Sequence, residues 1–285
     1  MSAVATRPPG VAAGPLPRWR RVLRRPGLAT GILLVTLLLA AGLLAPLLAT
    51  AAPTEQGPLT LSGPSGSHPL GTDEFGRDLF SRVLYGLRQD VLAALVAVPI
   101  GAVAGVVIGL AGGLARWVDT VAQRVFDVML SFSALVAGVT IASIMGPGQS
   151  AVMLTIVLVN VPLFGRLTRT SVLSQRERDY VVAAAVAGAG PVRVLVRHIL
   201  PNSLAPLIVQ FTLSVSTAVF IEGGMSFVGI GIRPPSPSLG SLLQGSMNFL
   251  SQNVWYALGP MLAVTLLVLG LQLIADGLTT SLLRR

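Results

Sequence analysis

Long apolar runs separated by short polar segments dominate the chain. Six of these runs approach the ~20 residues that an α-helix needs to cross the hydrocarbon core of a membrane. They lie near residues 28–50, 91–115, 125–145, 150–172, 203–228 and 255–278. Runs of this length favour helices over the short alternating strands of an outer-membrane barrel. The pattern predicts an all-α, polytopic membrane bundle of about six transmembrane helices.

Composition supports this class and excludes several others. Of 285 residues, 53% are hydrophobic and 11% are charged, whereas soluble domains carry roughly 25% charged residues. The chain has no cysteine, which excludes disulfides, thiolate metal ligands and cysteine nucleophiles. All 20 basic residues are arginine, so neither a lysine-containing phosphate-binding loop nor a Schiff base is available. If ATP drives this protein, another chain must bind it.

The arginines also predict the orientation of the bundle. Segment 1–27 is basic and precedes the first apolar run, 28–50, which is longer than the apolar region of a typical cleaved signal peptide. We therefore expect 28–50 to be an anchor helix, with a cleaved signal peptide as the alternative. If segment 1–27 is cytoplasmic, 16 arginines lie inside and four outside, and both termini are cytoplasmic. The net charge of +9 is then a topology signal and does not indicate nucleic acid.

The most charged stretch, HPLGTDEFGRDLFSRVLYGLRQD, lies within segment 51–90, which this topology places outside the membrane. From Leu79 onward its apolar residues follow helical spacing, which predicts an amphipathic helix lying at the membrane interface before the chain turns in. Thr72 or Asp73 is expected to cap this helix, and Asp73 to pair with Arg77. A second outer loop is expected at 231–253.

Segment 173–202 is predicted to form a helix-turn-helix elbow on the cytoplasmic side. The first helix is expected from Ser174 to Ala187, with Ser174 and Glu177 forming a capping box. A break at 188–191 follows, and a second helix runs to Leu200. Small residues on the first helix would let another backbone approach closely. Arg193 and Arg197, at i and i+4, are suited to acidic partners.

Within the apolar spans, Glu222 is the main candidate for a group lining a pathway, because ionisable residues inside membranes are expensive and often functional. A helix-end carboxylate bonded to backbone is the alternative. Asn160 is a weaker pathway candidate, with interhelical hydrogen bonding as its alternative. Gly101, Gly105 and Gly109 recur at the spacing of close helix contacts, and we expect them to pack one span against another.

The elbow resembles the coupling loop of binding-protein-dependent ABC importer permeases, whose signature is E-A-A-x-x-x-G, nine residues, and I-x-L-P. Ala183-Ala184, Gly188 and Leu200-Pro201 match this signature, while Val182 and His198 replace its glutamate and isoleucine. The stretches HPLGTDEFGRDLFSRVLYG and FIEGGMSFVGIGIRPPSPSLGSLL are similar to the C-type permease subunits of dipeptide, oligopeptide and nickel importers. These similarities extend over most of the chain from His68 onward.

The resemblance implies a type I ABC importer permease fold in the bacterial plasma (inner) membrane, with a permease core at 91–285. The expected partners are a second homologous permease, one or two ABC ATPase subunits, an extracytoplasmic substrate-binding protein and membrane lipid. The ATPase subunits would bind ATP and Mg, and no catalytic, cofactor-binding or metal-binding residue is expected in this chain. The residues expected to contact the ATPase or to shape the elbow are Tyr180, Ala183, Ala184, Gly188, Arg193, Arg197 and Pro201.

The expected cargo is a dipeptide or oligopeptide, on resemblance alone. Nickel, glutathione or another small solute remain alternatives within the same importer class. A secondary transporter or channel is the alternative from another class, although the apolar spans hold few ionisable groups that could couple transport to an ion gradient. An intramembrane hydrolase is disfavoured, because His68 and His198 fall on opposite sides of the membrane and no nucleophile–base pair is available.

Overall fold

The computed structural model describes residues 26–282, which form helices and loops without a β-strand, so most of the predicted segment 1–27 lies outside the described residues. In chain order the helices are α1 (Pro26–Leu43), α2 (Ala45–Leu48), α3 (Leu79–Leu114), α4 (Arg116–Ser131), α5 (Ala134–Met145), α6 (Gln149–Arg176), α7 (Asp179–Val186), α8 (Pro191–Val194), α9 (Leu200–Asn202), α10 (Leu204–Phe227), α11 (Leu239–Ser246) and α12 (Trp255–Leu282). A π-helical turn, Leu195–Ile199, joins α8 to α9, and a 3₁₀ turn, Met247–Phe249, follows α11.

Five helices, α1, α3, α6, α10 and α12, are long and apolar enough to cross a membrane on their own. The packing of α3 against α6 reveals a sixth crossing. Gly101 faces Val157, and Gly109 faces Gly165, so residue numbers rise together and the two helices run parallel. The intervening helices α4 and α5 must therefore carry the chain back across the bundle. The predicted all-α bundle of about six transmembrane helices is confirmed.

The sixth crossing is not the single straight helix predicted at 125–145. Helices α4 and α5 meet at an angle of 91°. The first of them is too polar for a lipid-facing span, because Asp119 and Asp127 lie on it. Arg169 and Arg166 of α6 pair with these two carboxylates, which draws α4 against the end of α6. The apolar remainder, α5, completes the crossing after the bend.

The glycines of α3 pack as predicted. A Cβ placed on Gly105 would lie 2.4 Å from the carbonyl oxygen of Val161 and 2.9 Å from the backbone nitrogen of Gly165. Gly101 and Gly109 meet α6 at similarly short range. Because no side chain separates the backbones, α3 and α6 pack closely along this stretch. The prediction that these glycines serve helix packing is confirmed.

The first and last described helices run antiparallel. Leu28, near the start of α1, packs on Gly277, near the end of α12, while Val35 packs on Gly270. The start of α1 and the end of α12 therefore lie at the same end of the bundle. The arginine bias assigns this end to the cytoplasm, and we call it the cytoplasmic end and the opposite one the outer end.

The second predicted outer loop, 231–253, contains a folded element. Ser238 is the N-cap of α11 and forms a capping box. Its hydroxyl accepts from the backbone N–H of Ser241, and the Ser241 hydroxyl accepts from the backbone N–H of Ser238. Leu239 and Leu242 turn inward and are buried. The short helix is therefore held by its cap and by two apolar contacts, and the predicted outer loop is partly helical.

Candidate functional site

The elbow at the cytoplasmic end has its own small core. Its buried residues are Val172, Val181, Val194, Leu195 and Ile199, packed against Leu110 and Ala189. Val172 belongs to α6 and Leu110 to α3, so the elbow rests directly on the ends of these two helices. Between its two arms, Gly188 adopts a left-handed backbone with φ of 84°, and Pro191 occupies the first turn of α8. The elbow is therefore a packed extension of the spanning helices.

Two details of the elbow differ from the predictions. Helix α6 continues through Ser174 to Arg176, so the predicted capping box does not form, and the Ser174 hydroxyl donates to the carbonyl of Ser171. The second arm does not stop before Pro201, because α9 includes that residue. Proline has no N–H to donate, and the regular α-helical pattern gives way to the π-helical turn immediately before α9.

The outward surface of the elbow is apolar with a basic margin. Tyr180, Ala183, Gly188, Arg193, Arg197 and Pro201 are exposed, and Ala184 is half-buried. Val182, at the position of the signature glutamate, is also exposed, and Val186 is 84% exposed. Exposed apolar residues rimmed by charge are typical of a protein-binding surface. The structure thus gathers the residues predicted for the elbow on one projecting element, and their individual roles stay predictions.

The charged stretch at the outer end forms a buried network. The Arg77 guanidinium donates to the Asp73 carboxylate over 2.6 Å, so the predicted pair is confirmed. Arg82 lies 3.5 Å from the same carboxylate, and all three side chains are buried. The predicted interfacial helix is wrong, because residues from Leu79 onward form the start of α3, a single helix of 36 residues. The Ser81 and Arg82 side chains in its first turn bond to residues 50–53 of the outer loop.

The residue that caps α3 is Asp78, not Thr72 or Asp73 as predicted. Its carboxylate accepts from the backbone N–H of Ser81 over 2.7 Å and from the Thr50 hydroxyl over 2.7 Å. The ring of His68 lies 3.0 Å from its other oxygen. Burial alone would raise the pKa of Asp78, but these hydrogen bonds outweigh it and hold the pKa below the usual value of 3.8. The charged stretch thus fastens the loop after α2 to the start of α3.

Glu222 lies on α10 towards the outer end and is 0% exposed. Its carboxylate accepts from the Ser226 hydroxyl over 2.6 Å. The second buried carboxyl at this place is Asp90 of α3, which sequence reasoning missed because it stands one residue before the predicted span 91–115. A lone acidic residue beside a long apolar run was the available signal.

Asn160, the other pathway candidate, is buried in α6. Its amide donates to the carbonyl of Ile156 over 2.8 Å, and its Cβ lies beneath Gly101 of α3. The structure therefore bonds Asn160 to its own helix and not to Glu222. The pathway roles of both residues stay predictions.

Comparison with known proteins places these features in a family. The family model described as "Binding-protein-dependent transport system inner membrane component" matches residues 97–285, which include the elbow and Glu222. The Dipeptide transport system permease protein DppC of Alkalihalophilus pseudofirmus is 38% identical over 88% of this chain and 84% of its own length. The Di/tripeptide transport system permease protein DppC of Pseudomonas aeruginosa is 36% identical over 99% of this chain and 96% of its own.

A solved structure supports the fold. The chain superimposes on a structure titled "Inward facing conformations of the MetNI methionine ABC transporter" with a TM-score of 0.55 and 19% identity. The match covers 68% of this chain and 93% of that one, so the two share the type I ABC importer permease fold. From the matched residues, the relatives and the arrangement of the spanning helices, this chain belongs to the family of binding-protein-dependent transport system inner membrane components.

Proposed function

We propose that this permease subunit forms half of a translocation pathway for dipeptides or oligopeptides. The observation that carries the proposal is similarity along nearly the whole chain to relatives whose names specify dipeptide or di/tripeptide transport. A further relative, the Dipeptide transport system permease protein DppC of Haemophilus influenzae, is 36% identical over 93% of this chain. Such similarity includes both the spanning helices and the outer loops that a cargo would pass.

The elbow supports a second part of the proposal, that it transmits motion from an ATPase subunit. A rigid connection is required, because motion imposed at the surface of the elbow must reach the spanning helices. The core of the elbow meets this requirement, since Val181 and Leu195 pack against residues of α6 and α3. The exposed small and apolar residues of α7 provide a surface that a groove can enclose, and Arg193 and Arg197 provide positive charge for acidic rims.

The remaining parts of the assembly follow from this arrangement. A second homologous permease completes the pathway, one or two ABC ATPase subunits engage the elbows, and an extracytoplasmic binding protein delivers cargo to the outer end. ATP and Mg are held by the ATPase subunits, since the chain has no lysine for a phosphate-binding loop. This chain then performs no hydrolysis itself.

Glutathione is an alternative cargo that a specific relative favours. The Glutathione transport system permease protein GsiD of Pectobacterium atrosepticum is 33% identical over 77% of this chain. Glutathione is itself a small peptide, so permease similarity separates these cargoes weakly.

The experiment is uptake into proteoliposomes that contain this chain, its partner permease, the ATPase and the binding protein. Labelled dipeptide, glutathione and nickel are supplied separately, with ATP or a non-hydrolysable analogue inside. We expect ATP-dependent accumulation of dipeptide above the other two. Preferred accumulation of nickel or glutathione would assign another cargo to the same importer. Uptake by this chain alone, driven by an ion gradient, would contradict the importer function itself.

A further inference from the structure

Two acidic side chains with no assigned task in the coupling mechanism meet inside the bundle near its outer end. Asp90 projects from α3 and Glu222 from α10, and they are 1% and 0% exposed. Their carboxyl groups approach each other at the start of α11, because Asp90 accepts from the N–H of Leu239 and Gly223, next to Glu222, lies against the backbone of Gly240. Two carboxyl groups can hydrogen-bond only if at least one of them carries a proton.

The other hydrogen bonds leave one oxygen of each carboxyl for this contact. Glu222 Oε1 accepts from the Ser226 hydroxyl, and Asp90 Oδ2 accepts from the backbone N–H of Leu239 over 3.1 Å. Glu222 Oε2 and Asp90 Oδ1 are buried and have no other hydrogen-bond partner among the described residues. A single proton between these two oxygens satisfies both.

No cation compensates the pair within the part of the chain that the structure describes. None of the ion pairs there includes Asp90 or Glu222. Glu222 is the only titratable residue of α10, and α5 and α11 have none. Other titratable residues occur on the outer half of α3, on α12 and on the connection 228–254. Besides Asp90, they are Arg82, Tyr85, Arg88, Arg233, Tyr256 and Asp276. Of these, Arg82 lies beside Asp73, Arg88 lies against Gly42 of α1, and Arg233 is exposed.

Two adjacent carboxylates in an apolar interior without a cation are strongly unfavourable, and such groups take up a proton instead. We propose that Asp90 and Glu222 form a proton-binding pair that holds one shared proton at neutral pH and fastens the connection 228–254 to α3 and α10. The pair titrates as a unit, so the bound proton belongs to both residues.

The position of the pair explains how one proton can hold a whole segment. Asp90 binds the first residue of α11 through the N–H of Leu239. Glu222 binds Ser226, whose hydroxyl in turn accepts from the N–H of Ile232 over 3.0 Å. Both ends of the stretch 232–239 are thus attached to the pair. Release of the shared proton leaves two negative charges side by side, which repel and free the connection.

The chain offers a direct test because it has no native cysteine. Ser246→Cys places a thiol at the fully buried last residue of α11, and Gln244→Cys places one at an exposed position on the same helix. Each variant, assembled in membrane vesicles with its partner subunits, is treated with a membrane-impermeant maleimide over a range of pH. The labelling rate of Ser246→Cys is divided by that of Gln244→Cys. This ratio cancels the pH dependence of thiol reactivity that both variants share, and it reports the opening of the connection.

We expect this ratio to be low at neutral pH. Above the pH at which the pair releases its proton, the ratio should rise about tenfold per pH unit, because opening is linked to one proton. Glu222→Gln and Asp90→Asn replace the shared proton with a permanent amide donor, so each should keep the ratio low throughout. Glu222→Leu removes the hydrogen bonds and should raise it already at neutral pH.

Three results would overturn the proposal. A ratio independent of pH in the chain with both carboxyls intact would show that no proton holds the connection. A rise with pH that persists in both amide variants would place the titrating group elsewhere. A ratio raised at neutral pH to the same level by Glu222→Gln, Asp90→Asn and Glu222→Leu would show that the site requires two carboxylates. None of these outcomes depends on the cargo or on coupling to the ATPase.

Discussion

Gly188 and Gly190 stand two residues apart in the turn of the elbow but differ in backbone conformation. Gly188 has φ of 84°, whereas Gly190 has φ of −64°, which any residue adopts. A Cβ on either glycine would meet no atom within 4 Å. The two positions therefore differ in backbone strain and not in available space.

This contrast gives a matched pair of substitutions. Gly188→Ala forces a left-handed conformation on a residue with a Cβ and should destabilise the elbow by ~1–2 kcal/mol, while Gly190→Ala should have no such cost. Limited proteolysis of the elbow in the assembled complex measures the difference. Equal protease sensitivity of the two variants would contradict the role assigned to Gly188.

Asp78 illustrates how burial and hydrogen bonds set the charge state of a single group. Its pKa is lower in the folded protein than in the unfolded chain, so the carboxylate stabilises the outer loop at every pH above its unfolded pKa. That stabilisation is lost as the pH falls below 3.8 and through the lower, folded value.

Acid should therefore loosen the attachment of the loop after α2. Proteolysis of the loop by an acid-active protease should accelerate as the pH falls below 3.8. Asp78→Asn still caps the helix, because asparagine is an equally good N-cap residue, but it cannot titrate and should show a smaller acceleration. The same acid response in both chains would contradict the assignment of this stabilisation to Asp78.

Among individual residues, a contact between close neighbours in the chain was predicted from the sequence, whereas contacts between residues far apart in the chain were missed. Asp73 and Arg77 are four residues apart, and their contact was predicted, although residues 73–77 form a turn before α3 and not a helical turn. The partner Thr50 is 28 residues from Asp78, and Leu239 is 149 residues from Asp90. Contacts of that separation arise only from the three-dimensional packing.

The seam between α3 and α6 is the main contact at the scale of elements. It consists of glycines that admit the backbone of the other helix, with Gly105 at the shortest range. Because even one methyl group has no room there, the seam fixes the separation of the two helices that carry the elbow.

Substitution in this seam should be costly. Gly105→Ala places a methyl group 2.4 Å from the carbonyl oxygen of Val161 and should destabilise the bundle by ~1–3 kcal/mol, the typical range for overpacking. Gly223→Ala, in α10, is the control, since its Cβ would meet nothing within 4 Å. Thermal unfolding of the purified complex compares them, and a drop in Tm for Gly223→Ala equal to that for Gly105→Ala would contradict this account of the seam.

The hydrophobic pattern predicted the number of crossings but not their shapes. It placed one span at 125–145, where α4 and α5 meet at 91°. The cause lies outside that run, because the arginines that attract the polar face of α4 belong to α6. The continuity of the helix that starts at Leu79 with the span predicted at 91–115 was missed for a similar reason, since a polar outer network covers its first turns.

For the whole molecule, the two ends of the bundle have different characters. The outer end is tied by buried polar contacts of Asp78, Asp90 and Glu222, whereas the cytoplasmic end projects an elbow with an exposed apolar surface. Family membership was predictable from the motifs of both ends, although the elbow departs from its signature at Val182 and His198. The buried carboxyl pair was not predictable, because it depends on the folded contact of α3 with α10.

The central claim is that this subunit receives the work of ATP hydrolysis at its elbow. Ala183 is exposed on α7, so Ala183→Trp should leave the chain folded while blocking close approach of a partner. Ala52→Trp adds the same bulk at an exposed position of the outer loop and is the matched control.

The most direct measurement is ATP-dependent dipeptide uptake by the reconstituted complex carrying either substitution. The account predicts that Ala183→Trp lowers uptake about tenfold or more, equivalent to ~1.4 kcal/mol of lost coupling, while Ala52→Trp retains it. Unchanged uptake with Ala183→Trp in a complex of normal composition would contradict the claim that the elbow couples transport to ATP.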